Sequence, residues 1–351
     1  MRQASWKEYQ LVSAFPLGTS KGTLMTRSVW HLTAWDDERP AIRGIGEAAP
    51  FPGHSLEFPA DVKVKLIELC QRTDDWEQRL DQDLREVPSV RFAVEQCLRD
   101  LAAGGTKDLF PSDFTLGHKA IPINGLIWMD DRRKMLEKAG ALIDTGYRCV
   151  KLKIGALPLE DELAVLRALR KAHAASELSL RVDANGAFDQ RKVRDVLQRL
   201  ADLEVESIEQ PIAAGLYEAM AELCADTPIP IALDEDLIGQ HSIQLKSDLL
   251  DHVHPQHIVI KPSLVGGWAA TREWIDMATE RKIGWWVTSA LESNIGLNAI
   301  AQFTATLDIQ TPQGLGTGRV FTNNIPSPMR AENGHLHYRP ETAWDLSPIH
   351  V

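Results

Sequence analysis

The sequence predicts an α/β fold, a (β/α)7β TIM-like barrel that follows a smaller α+β domain. Beyond Pro111, short apolar runs alternate with helical stretches of ten or more residues, which is typical of βα units. Charged residues end at least five of these runs, as at the carboxyl-terminal mouth of a closed barrel, where all strand ends face one cavity. The competing architecture is an open doubly wound sheet, but its ligand binds at a single switch point.

The first domain is predicted from three extended segments and two helices. Apolar and polar residues partly alternate over residues 6–15 and 23–35, and a third extended run covers residues 41–47. The helix at residues 59–70 begins with a proline, and the helix at residues 89–103 ends at two glycines. These elements predict a small antiparallel sheet with helices packed on it.

The barrel follows as seven βα units and a final strand. Its strands are predicted at residues 121–127, 149–154, 178–184, 207–210, 229–234, 257–261, 284–289 and 314–316. The clearest helices between them are predicted at residues 160–172, 191–200 and 269–281. We expect residues 1–115 to form the first domain, residues 116–321 the barrel, and the tail, residues 322–351, to complete the first domain.

Composition and charge narrow the class of protein. Of the 351 residues, 44% are hydrophobic and 25% are charged, which is typical of globular proteins. The formal net charge of -11, without a basic stripe, argues against nucleic-acid binding. No segment resembles a membrane span or an export signal, and the four cysteines have no paired spacing, so we expect a cytoplasmic location.

Two lysines and an arginine are predicted to point into the barrel. Side chains alternate along a strand, so Lys151 and Lys153 share one face while the aliphatic residues between and beside them take the other. The same parity places Arg181 and Asp183 together on the next strand. Buried lysines are costly unless they are paired or functional. Lys261, which ends the sixth strand, lies across an eight-stranded ring from the second strand.

Three acids end the strands between those lysines. Asp183, Glu209 and Asp234 follow one another at intervals of about one βα unit. Oxygen ligands select a hard cation, so the pattern predicts a Mg²⁺ site, with Mn²⁺ as an alternative. Glu235 and Asp236 are alternative ligands, because a strand end can shift by a residue.

Other polar positions near the strand ends are candidates for supporting roles. Asn185 is a candidate partner for the metal-binding acids, although a turn role is equally compatible with its position. Backbone amides at Gly314 and Gly316, and the hydroxyls of Ser289 and Ser263, are candidates for binding a substrate carboxylate. A plain turn role is equally compatible with each of these four. We expect a small anionic carboxylate as the substrate.

Six segments of the chain resemble the enolase superfamily, and within it the muconate-lactonising subgroup. They are residues 46–55, 151–153, 181–185, 208–211, 233–235 and 260–263. The resemblance implies that the first domain is a capping domain. Its two loops, residues 15–23 and 49–54, would close the barrel mouth and exclude water.

Residues 124–128 and 313–318 are similar to dehydratases of this subgroup that form o-succinylbenzoate in menaquinone biosynthesis. The resemblance implies a syn elimination of water through a metal-stabilised enediolate. Lys153 would be the base and would return the proton to the leaving hydroxyl, and Lys261 would stabilise the enediolate by its charge. Lys151 and Arg181 would tune or orient Lys153.

Two other functions remain open on this sequence. Lysines on opposite faces also suit two-base proton exchange, so an N-acylamino acid racemase or dipeptide epimerase is the alternative enzyme. A non-catalytic barrel that binds a carboxylate or a metal is the alternative from another class. The oligomeric state is open.

Overall fold

The computed structural model describes residues 1–19 and 22–349, and the chain begins with an antiparallel sheet covered by helices. Strands β1 (Arg2–Thr19), β2 (Gly22–Asp36) and β3 (Arg39–Ala48) pair in sequence order. Helices α1 (Pro59–Gln71), α2 (Trp76–Arg79) and α3 (Pro88–Ala102) follow. A Cβ atom at Gly46 would lie 1.9 Å from the Ala93 carbonyl oxygen, so glycine is required where α3 crosses β3.

The first predicted lid loop, residues 15–23, is largely part of a hairpin. Strand β1 continues to Thr19, and Leu17 and Gly18 pair with Leu24 and Thr23 of β2. Residues 20–21 of the predicted loop lie outside the described residues. The expectation of a loop over residues 15–19 and 22–23 was therefore wrong, because the ladder of β1 and β2 resumes after an irregularity between Val12 and Leu17.

The second part of the chain forms the predicted barrel. After β4 (Ile121–Pro122), seven parallel strands pair in sequence order, which confirms the predicted fold class. They are β5 (Gly125–Ile127), β6 (Cys149–Lys153), β7 (Ser179–Asp183), β8 (Ser207–Glu209), β9 (Ile231–Leu233), β10 (His257–Ile260) and β11 (Gly284–Val287). The helices are α4 (Arg132–Asp144), α5 (Leu159–Ala172), α6 (Val193–Ala201), α7 (Tyr217–Ala225), α8 (Ile243–Val253), α9 (Pro262–Val265), α10 (Gly267–Glu280) and α11 (Asn294–Thr304).

The predicted eighth strand, residues 314–316, is reduced to two single bridges that close the ring. Gln313 bridges Ile123 and Gly314 bridges Thr288, each in parallel orientation. A Cβ atom on Gly314 would lie 2.1 Å from Thr288 Oγ1, so the backbones approach closely only because residue 314 is glycine. The seam of the barrel therefore lies between its seventh strand and its first.

The tail contacts both parts of the chain. The Asn323 carbonyl accepts a hydrogen bond from Tyr9 Oη (2.7 Å), and Asn323 Oδ1 accepts one from the Val12 amide (2.8 Å), so this end of the tail contacts β1. Strands β12 (Met329–Glu332) and β13 (His335–Tyr338) form a hairpin that pairs with β4 instead. The tail therefore also adds two strands beside β4 at the barrel. Among the described residues, no helix is long and apolar enough to cross a membrane.

Candidate active site

Three carboxylates meet at the carboxyl end of the parallel sheet. Asp183 and Glu209 are the last residues of β7 and β8 and are paired in register, and Asp234 directly follows β9. One carboxylate oxygen from each lies within 4.8 Å of the others. All three side chains are buried, so the three carboxylates are close together and shielded from bulk solvent.

The pKa values of the acids in this cluster are shifted in opposite directions. Burial and the neighbouring Asp183 carboxylate raise the pKa of Glu209 well above its usual range. Burial acts in the same direction on Asp183, but the ammonium groups of Lys153, Lys151 and Lys261 outweigh it and lower the pKa of Asp183. Within residues 1–19 and 22–349, no hydrogen-bond donor faces the buried Glu209 Oε1. Three oxygen donors with an unsatisfied atom fit a divalent metal ion.

Three lysines surround the acid cluster. Lys151 Nζ lies 2.7 Å from Glu209 Oε2 and 3.2 Å from Asp183 Oδ2. Lys153 Nζ donates to Asp183 Oδ2 (2.5 Å), and on the far side Lys261 Nζ donates to Asp234 Oδ2. Because β6 and β10 are the second and sixth strands of the ring, Lys153 and Lys261 approach from opposite sides.

Asn185 links Lys153 to a fourth carboxylate. Its Oδ1 accepts a hydrogen bond from Lys153 Nζ (2.8 Å), and its Nδ2 donates to Glu235 Oε1 (2.8 Å). His54 Nδ1 lies 3.2 Å from the same Glu235 oxygen. Burial opposes ionisation of Glu235, but His54 and the Lys261 charge lower its pKa to about 2.

The structure separates the alternative ligands Glu235 and Asp236 from the acid cluster. Glu235 turns to His54 and Asn185, whereas Asp236 accepts hydrogen bonds from Gln210 Nε2 (2.8 Å) and the Gly215 amide (2.7 Å). Asp236 therefore fixes loops beside the mouth. His54 was not among the predicted site residues. Its position in the predicted lid loop, residues 49–54, was the available signal.

A cavity of about 520 Å³ opens above these groups. Its polar floor includes the three lysines, Asp183 and Asn185. Ser289, Gly314 and Gly316 line it, and Ser289 Oγ is also 2.6 Å from Thr317 Oγ1. Apolar walls come from both domains and include Phe15, Phe51, Leu126, Trp128, Leu142 and Leu291.

Two predicted substrate contacts are not at this cavity. Arg181 is 1% exposed and turns toward the amino end of the barrel, where it donates to Glu206 Oε1 (3.0 Å) and the Pro312 carbonyl (2.9 Å). Its guanidinium also lies 4.4 Å from the Trp286 ring centre. The buried Ser263 donates its hydroxyl hydrogen to Glu292. Neither residue is placed to contact a substrate, and Arg181 is not placed to orient Lys153.

A family described as Enolase C-terminal domain-like has a model that matches residues 134–342. That span includes the acid cluster and the three lysines, and the chain belongs to this family. The resemblance to the enolase superfamily is confirmed.

Individual relatives sharpen this assignment. The chain is 41% identical to o-succinylbenzoate synthase from Desulfotalea psychrophila, with 95% of this chain and 98% of that protein covered. It is similar to the crystal structure of MenC from Desulfotalea psychrophila, with a TM-score of 0.83 and 37% identity over 96% of this chain and 99% of that one. N-succinyl-L-Arg/Lys racemase from Bacillus cereus is 26% identical over 74% of this chain and 67% of that protein.

Proposed function

We propose that the chain is an o-succinylbenzoate synthase, a hydro-lyase. It would remove water from 2-succinyl-6-hydroxy-2,4-cyclohexadiene-1-carboxylate in menaquinone biosynthesis, in the cytoplasm. The observation that carries the proposal is the 41% identity to a synthase over 95% of the chain. The lysine and acid geometry supports proton abstraction beside a carboxylate, but it suits a racemase equally well.

Asp183, Glu209 and Asp234 would hold the cation, for which we propose Mg²⁺, with Mn²⁺ as a substitute. When bound, the divalent ion supplies positive charge for the substrate carboxylate as negative charge accumulates there. The small anionic substrate would occupy the cavity between the lysines, with Ser289 and the backbone at Gly314 and Gly316 as its proposed contacts.

Lys153 is the proposed base. Its neutral amine takes the proton from the ring carbon that bears the carboxylate, and the freed electron pair delocalises into that carboxylate. As the pair returns to form the ring double bond, the adjacent carbon–oxygen bond breaks and the Lys153 ammonium gives its proton to the departing hydroxyl. Water and an aromatic ring result. Lys261, on the opposite side, stabilises the developing negative charge, and Lys151 holds two of the acids in place.

The second candidate is an N-acylamino acid racemase or dipeptide epimerase. The opposed lysines support it, because two-base exchange needs a proton carrier on each side of the substrate carbon. The more distant racemase relative points the same way. Purified protein should be assayed on the cyclohexadiene carboxylate and on N-succinylamino acids. Turnover of only the latter would refute the synthase proposal.

The Lys261→Arg variant distinguishes an electrostatic role of Lys261 from a role in proton transfer. An arginine keeps the positive charge, but it does not exchange a proton near neutral pH. If Lys261 acts through its charge, the variant retains dehydration at roughly a tenth to a hundredth of the wild-type kcat. Racemisation by the same variant should be abolished. Equal loss of both activities would contradict an electrostatic role.

A further inference from the structure

The predicted lid loop, residues 49–54, reaches the Lys153 side of the active site through the side chain of His54. His54 lies among the cavity residues, with its Nδ1 3.2 Å from Glu235 Oε1. The side chains of His54 and Glu235 are 8% and 7% exposed, so this contact is largely shielded from water. The remaining links are the 2.8 Å contacts of Asn185 with Glu235 and with Lys153. A histidine of the first domain is thus three contacts away from the base on the barrel.

The chemistry of this chain of contacts fixes the direction of the Asn185 amide. Asn185 Nδ2 donates to Glu235 Oε1, so the amide NH2 group faces that carboxylate. The amide oxygen must then face Lys153, where it accepts from Nζ without adding a charge. If Glu235 turned away, the Asn185 amide could rotate and present NH2 hydrogens to the lysine, which would push Nζ out of place.

The loop that carries His54 is held firmly at its other end. Arg27 is buried and donates to the Ala49 carbonyl (2.7 Å) and to the Ala290 carbonyl, which joins the loop to the end of β11. Its guanidinium lies 4.6 Å from the centre of the Phe51 ring, and that ring packs edge-on against His54 at 5.0 Å. The loop therefore delivers His54 to Glu235 in a defined position.

We propose that His54 is a positioning residue for the base: through Glu235 and Asn185 it holds Lys153 Nζ where it can take the substrate proton. The inference rests on the proposed function in one respect, the role of Lys153 as the base. It means that the base is aligned by the same loop that covers the bound substrate. Removal of His54 should slow proton transfer more than it weakens binding.

His54→Leu removes the contact with Glu235, and His54→Asn retains an N–H donor near the position of Nδ1. We expect His54→Leu to lower kcat by about 10- to 100-fold, as for other residues that orient an active-site group, with KM changed by less than about threefold. The primary isotope effect on kcat with substrate deuterated at the abstracted position should rise. His54→Asn should restore kcat to within about fivefold of wild type.

The surface offers a matched control. His252 also lies near a glutamate, with Nε2 3.9 Å from Glu218 Oε1, but its side chain is 49% exposed. His252→Leu should leave kcat, KM and the isotope effect unchanged. Thermal melting of each variant reports whether folding is intact. If His54→Leu does not fold, Glu235→Gln, which allows the Asn185 amide to rotate, should give the same loss of kcat.

A double-mutant cycle tests the path itself. If His54 acts through Asn185, His54→Leu should reduce kcat much less in an Asn185→Ala background than in the wild type. Additive losses would overturn the proposal, as would a raised KM with unchanged kcat, which makes His54 a substrate contact. Failure of the proposed function is distinguishable, because a wild-type chain that only racemises N-succinylamino acids still allows the cycle to be measured on that substrate.

Discussion

Both ends of the barrel bury charged side chains, but the two ends differ in how fully those side chains are hydrogen-bonded. Lys151 and Arg181 are partners in register on neighbouring strands. Lys151 reaches the carboxyl end, where Asp183 and Glu209 accept its hydrogen bonds. Arg181 reaches the amino end, where Glu206, Thr311 and the Pro312 carbonyl accept its hydrogen bonds.

The difference separates a reactive cluster from a structural one. At the carboxyl end, burial and the neighbouring carboxylates raise the pKa values of Glu209 and Asp234, and the three acids fit a metal site. At the amino end, Arg181 has partners on all sides and Glu206 is 39% exposed, so nothing further needs to bind. Buried charge alone does not identify an active site, whereas acids and lysines that converge beside a cavity do so here.

The sharpest test of this comparison is Glu209→Gln. The variant loses one ligand charge, so we expect turnover to fall by at least about 10³-fold. Stability without metal should change by less than about 1 kcal/mol, because the substitution also removes a repelled carboxylate. Saturating Mg²⁺, about 100 times its Kd, should stabilise the wild type by about 2.7 kcal/mol and the variant much less. Turnover assays and thermal melts with and without Mg²⁺ measure both effects.

Arg181→Met should show the opposite pattern. It removes the donor for Glu206, Thr311 and the Pro312 carbonyl, which are all partly exposed, so we expect the free energy of unfolding to fall by about 1 to 3 kcal/mol. For the folded fraction, kcat should stay within about threefold of wild type, since Arg181 does not reach the cavity. Urea unfolding and steady-state kinetics give the two numbers. A large loss of kcat at unchanged stability would restore the predicted role of Arg181 beside Lys153.

Glu57 provides a reference for the effect of burial on the pKa of a carboxyl group outside the acid cluster. The Ser89 amide donates to its Oε1 (2.8 Å), and burial raises the pKa of Glu57 to about 7, from the ordinary 4.5. The folded protein therefore retains a proton that the unfolded chain has released, so this contribution to stability is full below pH 4.5 and is lost as the pH rises through about 7.

Glu57→Gln removes that titration. The decrease in unfolding free energy between pH 5 and pH 8 should be smaller in the variant by about 1 to 3 kcal/mol. Urea unfolding at the two pH values measures it. An equal pH dependence in both proteins would mean that Glu57 titrates alike in the folded and the unfolded chain, and that burial does not raise its pKa.

Much of this architecture could be predicted from the sequence because it depends on periodicity. The strands from β6 to β11 lie within two residues of their predicted ends, since apolar runs and helical repeats are unambiguous there. The intervals between Asp183, Glu209 and Asp234 predicted that the three acids lie together, because each interval is about one βα unit. Parity along a strand predicted that Arg181 faces inward, but parity does not specify which end of the barrel a long side chain reaches.

Contacts between distant segments could not be predicted in the same way. Ser263 lies two residues after Lys261, yet its hydroxyl donates a hydrogen bond to Glu292. No pattern in the sequence indicates that these two residues are in contact. The shortened eighth strand depends on the close approach of Gly314 to Thr288, which no local pattern reveals. The contact between His54 and Glu235 joins two domains, and only the folded chain shows it. The domain boundaries stay predictions.

The seam of the barrel has an evolutionary consequence. Among the described residues, only Gln313 and Gly314 form strand bridges from the last segment to the ring, so the residues after them carry little of the barrel's strand hydrogen bonding. Yet Gly316, Thr317 and Val320 line the cavity. Mutations there can reshape the pocket for new substrates while the acids and lysines on the other strands keep their places, which makes this stretch a natural route for one scaffold to acquire different specificities.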